Sequence, residues 1–131
     1  MLLLVAALSM PLKSMPLNPD VRQDTIGKTI CVPGYTASVR PAPSYTGRIK
    51  ARALREAGLP REDARRYELD HVVPLTLGGS PRSPDNLRLQ PWPEARVKDR
   101  IEVRLSRMVC RRQMQLEDAQ RCIWQDWRAC K

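Results

Sequence analysis

Between residues 45 and 57, Ile49, Ala53, Leu54 and Ala57 form one apolar set, and Lys50, Arg52 and Arg55 stand between them. Recurrence at three- and four-residue steps with charge on the opposite side predicts an amphipathic helix, opening at Tyr45-Thr46-Gly47 and stopped by Gly58. Residues 60–66 have room for one further turn. The period then shortens: residues 67–73, Tyr-Glu-Leu-Asp-His-Val-Val, alternate as a strand does and halt at Pro74. Gly78, Gly79, Pro81, Pro84 and Asn86 make 74–86 a loop, and residues 87–90 read as a second short strand. Pro91-Trp92-Pro93 opens a long helix, a proline being compatible with the first turn. Its expected apolar face is Val97, Ile101, Leu105, Met108 and Val109, while Arg96, Arg100, Arg104, Arg107 and Arg111 line much of the rest. A last helix over about 115–127 places Leu116, Ala119, Ile123 and Trp127 on one side. Short strands flanked by segregated helices predict an α+β domain.

The N-terminal third obeys no such period. Six of the twelve prolines fall within residues 9–45, which rules out a long helix there. Residues 9–28 read as a tail and 29–45 as an extended arm lying over the domain, with 29–32 a short extended segment ended by Pro33-Gly34. The domain proper is therefore expected over 29–131. The chain of 131 residues has no Phe, so aliphatic side chains must supply most of its core. Residues 1–8 are charge-free and apolar, but about 18 such residues are needed to span a bilayer, so no transmembrane anchor is expected. Residues 1–18 read as an export signal or as a disordered tail; no Lys or Arg precedes the run and no Ala-x-Ala site follows it. Four cysteines without a Cys-x-x-Cys pair argue against a zinc ribbon and, with export, for disulfides in a secreted or periplasmic protein. If the leading run is not a signal, the protein is cytoplasmic and its thiols are free.

Charge narrows the function. The net charge is +9, and residues 46–112 hold sixteen of the basic groups against nine acidic ones, around the single histidine, His71. That balance excludes an acidic solvating tail and favours an anionic partner, nucleic acid before an anionic membrane surface. Within that segment stand Glu68, Asp70, His71, Asn86 and Glu94. An adjacent Asp-His pair at a strand end offers a hard oxygen ligand, suited to Mg²⁺ or Mn²⁺, beside an imidazole able to deprotonate water near neutral pH.

The run Tyr67-Glu68-Leu69-Asp70-His71-Val72-Val73-Pro74-Leu75-x-Leu77-Gly78-Gly79, followed by Asp85-Asn86-Leu87 and Lys98-Asp99, resembles the HNH endonuclease family, whose fold is the ββα-metal finger. The likeness is to a branch of small bacterial proteins that often carry an exported leader. It extends to an arm, here Ile30-Cys31-Val32-Pro33-Gly34-Tyr35-Thr36, to a helix start at Ser44-Tyr45-Thr46, and to a tail with Val109-Cys110, Glu117, Ala119-Gln120 and Asp126-Trp127. The resemblance covers about residues 29–127. It implies that His71 is the general base activating water, that Asp70 is a metal ligand, and that Asn86 ties loop to strand and holds His71 in place.

One divalent ion is implied, Mg²⁺ or Mn²⁺, with Zn²⁺ or Ni²⁺ as alternatives. The family's third position, normally His or Asn on the helix, has no counterpart here, and Glu94 at the helix start is the expected substitute, with Asp99 behind it. Glu68 shares a strand face with Asp70 and is expected to orient an Arg or the water. Arg96, Lys98 and Arg100 are expected to hold phosphate. The implied function is metal-dependent endonuclease action on double-stranded DNA, in preference to RNA, with little sequence specificity. The alternatives are a nuclease-fold protein that binds nucleic acid without cutting it and an exported structural protein; an immunity-type partner is left open. Cys31 and Cys110 match positions in the resembling branch, which implies that they pair and leave Cys122 to Cys130. The rival arrangement is Cys110–Cys122 with Cys31–Cys130, across a turn at 111–116.

Overall fold

The structure, a computed structural model, describes residues 14–130. The export-signal reading falls mainly on residues 1–13, outside that range. The protein is α+β, and its described sheet has two antiparallel strands, β1 (Tyr67–His71) and β2 (Leu87–Pro91). They pair from Tyr67 opposite Pro91 to His71 opposite Leu87. Among the described residues four α-helices surround them: α1 (Tyr35–Val39), α2 (Pro43–Glu56), α3 (Trp92–Cys110) and α4 (Leu116–Asp126).

Helix α2 starts two residues before the expected Tyr45, because Pro43 takes a first-turn position where its missing N–H costs nothing. It ends as expected, with Gly58 at φ +68°, a left-handed conformation that glycine adopts without penalty. Residues Arg61–Arg66 form a 3-10 segment that leads into β1. Strand β1 is two residues shorter than expected, since Val72 and Val73 leave the sheet for the loop and bury there. Helix α3 begins directly after β2, so sheet and helix form one rigid corner.

The core joins four parts of the chain. Val73 and Leu77 come from the loop, Leu105 and Val109 from α3, Leu116, Ala119 and Ile123 from α4, and Val21, Ile26 and Ile30 from the N-terminal segment. That last contribution corrects the reading of 9–28 as a tail for its described part, residues 14–28. Leu17 bridges to Gly79, the Ser80 N–H donates to the Pro16 carbonyl at 2.8 Å, and Val21 and Ile26 are buried. The domain therefore starts well before residue 29. Nor are residues 29–32 extended: they fold as turns, and α1 interrupts the expected arm. Proline had excluded a long helix, but apolar side chains three to five residues apart still reach the core from a chain of turns.

The buried stripe of α3 also differs from the expected one. Val97 is 40% exposed, whereas Ala95 and Lys98 are buried with Leu105 and Val109. On α4 all four expected residues are buried, Trp127 from the 3-10 turn Trp127–Ala129 that follows the helix. That turn carries Cys130 back to Cys122, with Cα atoms 5.7 Å apart, and Cys31 is bonded to Cys110 at 5.6 Å. The rival pairing is thereby excluded.

Candidate active site

Asp70 and His71 occupy the last two positions of β1, and alternation sends them to different environments. Asp70 is buried toward α3, where Lys98 meets it. The Lys98 ammonium is 1% exposed and donates to Asp70 Oδ2 at 2.7 Å, to the His71 carbonyl at 2.8 Å and to Glu102 Oε1 at 2.7 Å. An ammonium has three N–H donors, so all are used. Burial raises the Asp70 carboxyl above its ordinary range, against the Lys98 charge and hydrogen bond that lower it. For Glu102, burial again outweighs Lys98 and pushes the carboxyl up to about 7.

His71 Nε2 lies 3.0 Å from the Pro81 carbonyl oxygen. A carbonyl can only accept, so this contact places the proton on Nε2 and leaves Nδ1 as the basic nitrogen. Burial lowers the imidazole pKa below its usual value; the Pro81 bond opposes this and the nearby Arg40 charge adds to it. The ring is thus neutral at neutral pH.

The loop that presents Pro81 is braced by Asn86, which is fully buried. Its Nδ2 donates to the Val73 and Ser80 carbonyls, both at 2.9 Å, and its Oδ1 accepts from the Val73 N–H at 2.9 Å. Such close packing needs Gly79: a Cβ there would stand 1.8 Å from the Val73 carbonyl oxygen. Asn86 thus meets Ser80, the residue before Pro81, whose carbonyl faces His71.

A cavity of about 130 Å³ opens at this corner, lined by Arg40, Glu68, Asp70, His71, Asp99 and Glu102 among others. Two polar atoms of its lining, Glu68 Oε2 and Thr76 Oγ1, are buried without a hydrogen-bond partner. Glu68 has its carboxyl raised, first by burial and then by the charges of Asp70 and Asp99.

The expected site residues are thus only partly brought together. Glu68, Asp70 and His71 share the cavity wall, while Asn86 lies behind it in the loop, bonded to Val73 and Ser80. Glu94 stands apart: it is exposed, pairs with Arg128 at 3.1 Å and is no part of the cavity wall. Lys98 is likewise removed from any role on phosphate, because its donors are all spent inside the protein. Arg96 and Arg100 are exposed on α3 as expected. Glu102 and Arg40 went unnoticed in the sequence; the i,i+4 spacing of Lys98 and Glu102 was the available signal for the former. Among the described residues, no three His, Cys, Asp or Glu side chains are arranged to hold a metal ion. Nor does any described helix have the length and apolarity to cross a membrane. In comparison with known proteins, the chain matches no family model, no curated protein and no solved structure.

Proposed function

We propose that this protein is an HNH-type endonuclease that hydrolyses phosphodiester bonds in DNA, with β1, β2 and α3 as its ββα finger. The observation that carries the reading is the His71–Pro81 contact. It fixes the tautomer of a neutral imidazole beside a carboxylate-lined cavity, in a chain of net charge +9. His71 takes the proton of the attacking water at Nδ1. Asn86 and Gly79 keep the loop, and so the ring, in register with β1. Exposed Arg40, Arg96 and Arg100 attract and orient the anionic backbone.

The donor set suits a hard divalent ion. Such an ion is commonly bound by one or two carboxylates together with waters and substrate phosphate, so three protein ligands are not required. Asp70 and Glu68 would hold it, which gives Glu68 Oε2 a partner and replaces Glu94 as the second ligand. When bound, Mg²⁺ or Mn²⁺ supplies charge neutralisation on the phosphate and the leaving oxygen.

A second reading, a protein of the same build that binds nucleic acid without cutting, is favoured by one observation. Lys98 already occupies Asp70 Oδ2.

Plasmid digestion by the purified protein separates the two. Cleavage is expected with Mg²⁺ or Mn²⁺, is abolished by EDTA, and falls about 10²- to 10⁴-fold in His71→Ala while DNA binding is retained. Equal cleavage by His71→Ala removes the imidazole as base. Binding without cleavage of plasmid or of single-stranded DNA under every metal condition selects the second reading.

A further inference from the structure

His71 stands between two cavities. Arg40, Glu68, Leu69 and His71 line the carboxylate pocket and also a neighbouring groove of about 330 Å³. Away from the carboxylates the groove is walled by Thr46, Gly47 and Lys50 of α2 and by Trp92 at the start of α3. Trp92 is 37% exposed and lines the groove, so its indole face is open to a ligand there. Opposite, Gly47 leaves open space, since a Cβ there would have nothing within 4 Å. Arg40 is exposed at the junction of the two cavities, and Lys50, whose ammonium donates to the Tyr67 carbonyl at 2.7 Å, adds a second positive charge.

We propose that this groove binds an unpaired nucleotide next to the scissile phosphate, with its base against the Trp92 indole and its phosphate at Arg40, so that single-stranded DNA is the preferred substrate. In a duplex both faces of a base are covered by its neighbours, and an indole fixed in a groove wall cannot reach them. An unpaired base offers an open face, and stacking on an aromatic side chain is tolerant of sequence. The charge of Arg40 and Lys50 complements the strand, and the shared wall at His71 puts the next phosphate within the carboxylate cavity. This inference rests on the nuclease reading for the cleavage step, but not for the binding step.

Binding is measured by fluorescence anisotropy of a labelled single-stranded DNA 20-mer, and of a hairpin duplex of the same sequence, at one salt concentration. His71→Ala protein is used so that the probe survives. Tighter binding of the single strand is expected. Adding Trp92→Ala should lower the ratio of single-strand to duplex affinity roughly tenfold, as loss of one stacked base predicts, and Trp92→Phe should keep most of it. A melting curve confirms that each variant is folded. Equal or tighter duplex binding by the parent overturns the proposal, as does an unchanged ratio in Trp92→Ala. If the wild-type protein cuts neither substrate, the nuclease reading fails, and the anisotropy ratio still decides the groove.

Discussion

A single buried ammonium cannot neutralise two carboxylates, and that imbalance governs the Lys98 cluster. Lys98 contacts Asp70 from β1 and Glu102 from one turn along α3, with Asp99 also acting on both acids. Glu102, its side chain 16% exposed, accordingly keeps its proton until about pH 7, against 4.5 for an ordinary glutamate. A carboxyl whose pKa is raised by folding binds more protons in the native state across that window. Its contribution to stability is full below about pH 4.5 and is lost as pH rises toward 7, on the order of 3 kcal/mol. Glu102→Gln keeps an acceptor for Lys98 but cannot titrate. The wild-type stability minus that of the variant should therefore fall by about this amount between pH 4.5 and 8, measured by urea unfolding. Parallel pH curves would show that Glu102 is ionised throughout. Sequence reasoning assigned Lys98 to phosphate because a lone lysine on an arginine-rich helix looks like surface. Nothing in composition distinguishes it from Arg96 or Arg100; only the docking of α3 against β1 does.

At the level of elements, α4 was legible and α3 only half so, for a common physical reason. On α4 the expected apolar residues all lie on the buried stripe, whose polar member, Gln120, donates to the Leu77 carbonyl at 2.8 Å, so periodicity still finds the face. On α3 the stripe passes through Lys98, and counting only apolar residues rotates the face onto Val97, which is 40% exposed. The strand–loop–strand unit was read nearly to the residue, because Pro74, Gly78-Gly79 and Pro84 punctuate it. What the sequence did not disclose is how tightly that loop is wound. With the Val73 carbonyl 1.8 Å from any Cβ at position 79 and Asn86 Nδ2 at 2.8 Å, Gly79→Ala must open the loop and break the Asn86 bonds. A loss of about 3 kcal/mol in urea-unfolding stability is expected. On the proposed nuclease reading, DNA cleavage should fall further than the unfolded fraction explains, because Pro81 then no longer orients His71. A folded variant with unchanged cleavage would detach the loop from the site.

Across the whole molecule, the N-terminal segment is integral rather than peripheral. Val21, Ile26 and Ile30 fill the core beside Leu105 and Val109, and Cys31–Cys110 fastens that segment to the end of α3. Sequence reading missed this because irregular backbone has no period to reveal which side chains turn inward, even though the Cys31–Cys110 pairing implied a fixed arm. Two disulfides suit an oxidising compartment, extracellular or periplasmic. They are not equivalent in energy. The first bridge joins residues 79 apart in sequence and the second residues 8 apart, so chain-entropy arguments assign about 4.5 kcal/mol to the former and about 2.5 kcal/mol to the latter. The long bridge also closes the loop that contains β1, β2 and most of α3, whereas the short one secures only the turn after α4. Cys31→Ala/Cys110→Ala should therefore lower the urea-unfolding free energy by more than Cys122→Ala/Cys130→Ala does. The first variant alone should loosen the N-terminal segment, read as faster hydrogen exchange at the Val21 and Thr29 amides. Equal losses from the two double variants would mean that the N-terminal segment is held by its core contacts and that the long bridge adds no constraint of its own.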